Sequence, residues 1–167
     1  MTHIALLAFT AVVLQASRDS DLVQLAPIIV DAAVSAGVPK SRSQSAEGRH
    51  LFVDLTSFAL NGNSAMNAVA STGQLALALG PTVRDATESE AVQCSEADCW
   101  IEDDALFVRL DSLHTSAFGS LEALVTCLWP DRRPSGRSGV GMTQLRIWLA
   151  KRGNVWMKTR SEIVKRT

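Results

Sequence analysis

Nowhere does this 167-residue sequence run to the roughly 18 continuous apolar residues that a membrane-spanning helix needs. No transmembrane segment is therefore read into it. Cysteine is scarce, at three residues, and the Cys-x4-Cys pair lacks the second close-spaced pair of a zinc ribbon. Gly136, Gly139 and Gly141 miss the spacing of both common phosphate-binding loops. The acidic residues lack the alternating ligands and central glycine of an EF-hand loop. There is no internal repeat, no nucleic-acid-binding motif and no recognisable catalytic or cofactor signature, so no metal and no cofactor is assigned.

What is present is the composition of a globular chain, with 47% hydrophobic and 20% charged residues. The length suits one domain that buries its own core. The net charge of -1 hides an asymmetry: residues 1 to 129 hold 6 Lys/Arg against 15 Asp/Glu, and residues 130 to 167 hold 10 against 2. A basic end of this kind suits an anionic surface or ligand, or it is a solvated face whose cations pair with acids.

Ile4 to Leu14 is an eleven-residue apolar run that ends near Ala16-Ser17. It reads as a signal peptide over residues 1–16, leaving a single α+β domain over 17–167 that is exported to the periplasm or secreted rather than cytoplasmic. No Lys or Arg precedes the run, and a buried first strand or helix is the competing reading. Export favours a disulfide between Cys94 and Cys99, which flank a four-residue loop at hairpin spacing.

Periodicity predicts a helix over Ser20 to Gly37, with Pro27 near its first turns, and a strand over His50 to Phe58. Asn61-Gly62-Asn63 reads as a turn, and Ser64 as the cap of a second helix that stops at Gly80-Pro81. Strands follow over Glu90 to Cys94, Cys99 to Glu102, Ala105 to Leu113, Ser120 to Trp129, Gln144 to Lys151 and Val155 to about Val164. Pro130 to Gly141 reads as a long loop. The last two strands form a hairpin at Gly153-Asn154, although Leu145, Trp148 and Leu149 also fit one face of a helix. The fold class is thus α+β, with two helices packed on a curved, mostly antiparallel sheet of roughly five to seven strands.

Few residues offer chemistry. His50 and Asp54 share a parity on one strand and are the weak candidates for an acid/base pair. A solvated His50 and an ion-paired Asp54 are the plainer account. Cys94, Cys99, Cys127 and His114 make a conceivable zinc set that the spacing disfavours, and Cys127 reads instead as a buried small hydrophobe beside Trp129. Arg109, Arg146, Trp148, Lys158 and Arg160 fall at alternating strand positions and are the candidate ligand-binding residues, a cationic and aromatic face for an anionic ligand or protein partner.

In element order, and in the Trp-bearing hairpin around Gly153-Asn154-Val155-Trp156, the sequence is similar in outline to NTF2-like domains. That resemblance implies a cone-shaped fold, which hosts enzymes, binding modules and structural proteins alike. The expectation is a non-enzymatic domain that binds through its open sheet face. The alternative is a small-molecule hydrolase or lyase using His50 and Asp54 in a cone-shaped cavity.

Overall fold

The computed structural model describes residues 21–39, 50–67, 69–96, 98–116, 119–132 and 138–167. The expected signal peptide and the centre of the expected 130–141 loop lie outside them. Helix α1 covers 21–37 and buries Leu22, Leu25, Ala26, Ile29, Ala32 and Ala33, the helical stripe expected from the sequence. Pro27 lies in this helix six residues after Asp21, in line with its expected place in the first turns. Burial of the apolar neighbours on both sides of it offsets the lost backbone hydrogen bond. At the other end, Arg166 donates to the carbonyls of Ala36 at 3.0 Å and Gly37 at 3.3 Å, which satisfies two acceptors that a helix terminus leaves open.

The strand expected over His50 to Phe58 is only half correct. Strand β1 spans His50–Val53, and helix α2 spans Leu55–Met66. Asp54 is the N-cap of α2, its Oδ1 accepting from Ser57 N at 2.9 Å. Alternation over 50–56 fits a strand locally, but Ser57 and Asn61 one turn apart decide for a helix. Ser57 Oγ accepts from Leu110 N at 3.1 Å, and Asn61 Nδ2 donates to Leu110 O at 2.8 Å. The expected Asn61-Gly62-Asn63 turn is therefore interior helix. At Gly62 the Leu22 side chain of α1 packs directly on α2, since a Cβ there would overlap it. The single helix expected up to Leu79 is in fact α2 followed by α3, Thr72–Leu79, which opens on a Ser71/Gln74 capping box and stops at Gly80.

Strand β2 (Val83–Asp85) and the short helix α4 (Glu88–Ala91) occupy the acidic stretch, so the expected strand over Glu90 to Cys94 contracts to β3, Gln93–Cys94. The Thr87/Glu90 capping box starts α4 and overrides the extended reading. β3 pairs with β4, Cys99–Trp100, with Cys94 opposite Cys99. Their Cα atoms are 4.1 Å apart and the two sulfurs are at disulfide distance, as the spacing implied. Four long strands follow: β5 Ala105–Thr115, β6 Leu121–Arg132, β7 Ser138–Arg152 and β8 Val155–Arg166. Strands β6 and β7 extend into the expected 130–141 loop, and the terminal pair is a hairpin, not helical.

These strands make an open six-stranded sheet in the order β2-β1-β5-β6-β7-β8. β1 pairs in parallel with both β2 and β5, and β5 to β8 form an antiparallel meander. The fold is α+β and mostly antiparallel, with four helices among the described residues where two were expected. Among the described residues the sheet does not close, and the NTF2-like outline is not confirmed.

One face of the sheet carries Val108, Leu110, Val125, Cys127, Trp129, Leu145, Ile147 and Leu149 against the helices, and this is the main core. Cys127 and Trp129 are buried there as expected. The Trp129 ring lies across Gly141, its partner on β7, and its Nε1 donates to Thr143 Oγ1 at 3.2 Å. On the other face, among the described residues, α4 and the β3–β4 hairpin cover only one end. A second cluster there contains Ala91, Ile101, Phe107 and Leu128. The rest of that face is open and mixed polar.

Candidate functional site

Strand register settles which side chains share the open face. Phe107 and Leu128 pair under the β3–β4 hairpin, so Arg109 and Thr126, two residues on, point the same way. Between Leu110 and Ser112 the ladder carries a bulge whose extra residue is Asp111. The bulge gathers polar groups around one carboxylate: Asp111 accepts from Arg109 Nε at 2.9 Å, Thr126 Oγ1 at 2.6 Å and Gln144 Nε2 at 3.1 Å. Arg109 also pairs with Glu88 of α4, which ties that helix to the sheet. Burial acts to lower the Arg109 pKa, but the Asp111 hydrogen bond and charge, with Glu88 and Asp54, outweigh it and raise the value. Its guanidinium is a fixed cation.

Beside this node lies an open cleft of about 390 Å³, lined by Asp54, Thr56, Asn61, Thr87, Arg109 and Asp111 among others. His50 does not line it. It begins β1, separated from Asp54 by about 13 Å of extended chain, and its Nε2 lies 3.6 Å from Asp104 Oδ2 at the surface. Asp54 reaches the cleft while one of its oxygens caps α2. The two candidate acid/base residues are thus not brought together.

Past the bulge, Arg146 stands opposite Leu124 and Glu162, and Trp148 stands opposite Glu122 and Arg160. Trp148 is partly exposed and lies between two guanidinium groups, with Arg160 Cζ 4.7 Å and Arg146 Cζ 5.9 Å from its ring centroid. Glu162 receives Arg160 NH2 at 2.7 Å and lies 3.6 Å from Arg146 NH1. Arg146 Nε lies 3.0 Å from Glu122 Oε1 as an ion pair without hydrogen-bond alignment. The result is an Arg–Trp–Arg ladder braced by two glutamates.

Of the five residues singled out in the sequence, four share this face, with Arg109 in the Asp111 node and Arg146, Trp148 and Arg160 in the ladder. Lys158 does not. A bulge between Trp148 and Leu149 places Lys158 opposite Leu149, a core residue, so it projects from the helix-bearing side. Strict alternation along β8 had put it with Arg160. Glu122, Thr126 and Gln144 escaped the sequence reading because a cross-strand partner is defined by register, which composition does not reveal.

The zinc set is dispersed: Cys94 and Cys99 face each other, Cys127 is in the main core, and His114 pairs across the open face with Glu122. Among the described residues no group of three His, Cys, Asp or Glu side chains is placed to hold a metal ion, and no helix is long and apolar enough to cross a membrane. Comparison with protein-family models, curated proteins and solved structures gives no match to this chain.

Proposed function

We propose that this chain is an exported binding domain that takes an anionic ligand or an acidic protein partner on the open face of its sheet. The observation that carries the reading is the Arg146–Trp148–Arg160 ladder, which holds an aromatic ring and two guanidinium groups in fixed register on an uncovered surface. Arg160 is 65% exposed, so its planar fork is available to carboxylate or phosphate, while Trp148 and Leu124 offer flat apolar contact. Glu122 and Glu162 order the arginines and balance their charge, which favours recognition by geometry over a bare cationic patch. The Cys94–Cys99 pair supports the oxidising compartment that export implies. The hydrolase or lyase reading has less support, because Asp54 is engaged as a helix cap and His50 lies outside the cleft.

Retention on heparin and on anionic vesicles, titrated with salt, tests the proposal. Wild-type retention is expected to fall steeply with rising salt, and Arg146→Gln with Arg160→Gln to abolish it without altering the thermal melt appreciably. Lys158→Gln, on the opposite side, is the internal control and should retain binding. No salt-dependent retention of the wild type at low ionic strength would overturn the reading.

A further inference from the structure

The sheet ends on two unlike edges. β2 is three residues long, whereas β8 runs twelve residues with β7 as its one strand neighbour among the described residues. A long unpaired edge is a template for another strand unless it is shortened, interrupted by proline or made uniformly charged. β8 contains no proline, and Val155, Met157, Ile163 and Val164 along it are exposed. Its basic residues would repel a second such edge in most alignments, and it carries one acid, Glu162, at its middle.

We propose that β8 pairs antiparallel with β8 of a second copy, about a two-fold axis at Ser161. With Ser161 opposite Ser161, Arg160 of each copy faces Glu162 of the other, so the one acidic residue meets a cation twice. Lys158 falls opposite Val164, Met157 opposite Lys165 and Trp156 opposite Arg166, and no like charges oppose one another. Moving the axis to residue 160 or 162 sets Arg160 against Arg160 or Glu162 against Glu162.

The side-chain faces agree as well. Relative to β7, Arg160 and Glu162 lie on the open face, as do Met157 and Lys165, while Ser161, Trp156 and Arg166 lie on the helix-bearing face. Each of these pairs therefore joins residues of one face in a continuous sheet. The two β8 bulges, at Thr159 and Val164, would defeat a regular ladder, but about this axis they fall opposite Ile163 and Lys158 and leave the same-face pairs matched. In such a dimer the two open faces become one surface carrying two Arg–Trp–Arg ladders. The contact is small as protein interfaces go, so the association is concentration-dependent.

The test is sedimentation of the full chain across a concentration series, with disulfide trapping of Ser161→Cys under mild oxidation. Ser112→Cys, mid-sheet on the open face, serves as the trapping control. The expected results are a reversible shift from monomer to dimer and faster covalent dimerisation of Ser161→Cys than of Ser112→Cys. Arg160→Glu should weaken association about tenfold, because two symmetric attractive pairs become repulsive. A wild type that stays monomeric up to about 1 mM, the weak limit of specific association, overturns the proposal. So does a Ser161→Cys variant that cross-links no faster than the control.

Discussion

Gly141→Ala is a one-carbon change whose cost is set by a single neighbour. A Cβ at 141 would sit more than about 1 Å inside contact distance of three Trp129 ring atoms. The ring cannot easily give way, since Trp129 is 6% exposed and its Nε1 is tethered to Thr143. Residue 141 does not have a positive φ, so alanine carries no backbone penalty of its own. Overpacking of this kind costs about 1 to 3 kcal/mol, and the number of clashing atoms puts the expectation in the upper half. Trp129→Ala alone should cost about 3 to 5 kcal/mol. With the ring removed, the methyl added by Gly141→Ala meets open space and the substitution should recover up to ~1 kcal/mol, because alanine restricts the unfolded chain more than glycine does. The double variant should therefore be no less stable than Trp129→Ala, giving a coupling of at least ~2 kcal/mol between the two sites. Urea unfolding of the four proteins measures it. A Gly141→Ala loss below ~0.5 kcal/mol, or two losses that simply add, would refute the packing argument.

Two further expectations follow from the same geometry. Asp54→Ala should destabilise by about 1 kcal/mol through loss of the α2 cap, with Asp54→Asn retaining most of it, as read from thermal melts; equal losses in the two variants would mean that the charge matters more than the cap. Glu90 is held below its ordinary pKa of 4.5, first by the Thr87 backbone N–H and then by the Thr87 hydroxyl. Its contribution is therefore present above the unfolded value and lost as pH falls through the lowered one. Carboxyl NMR should show that depressed midpoint, and Thr87→Val should restore it only in part, because the backbone donor remains.

The elements that the sequence made legible are those whose local pattern and tertiary role agree. The α1 stripe, the Gly80-Pro81 stop, the Cys94/Cys99 hairpin and the terminal strands all belong to this class. The misread elements are those decided by distant partners. Alternation over 50–56 fits a strand, yet the chain turns into a helix from Leu55 because Ser57 and Asn61 satisfy the backbone of Leu110, some fifty positions away. Gly62 reads as punctuation until Leu22 is seen to press against it. In the candidate site, parity found Arg146, Trp148 and Arg160, and one bulge removed Lys158. Bulges and register carry no signature in composition, so Glu122, which pairs with Arg146 across the sheet, was invisible.

The placement of β1 has a consequence for how the chain reaches its native state. β1 lies between β2 and β5, and Leu51 pairs with Leu106, so the N-terminal segment becomes part of the sheet only after β5 exists. α1 depends on still later residues, through Lys151 to Asp21 and Arg166 to Ala36. The β5–β8 meander is built from neighbouring hairpins, and such short-range pairing is fast. The order of folding therefore opposes the order of synthesis: the helices emerge first and wait with apolar faces uncovered for the strands that bury them. Closure of the main core therefore waits for β5 to β8, because a fragment that lacks those strands leaves the apolar faces of the helices uncovered.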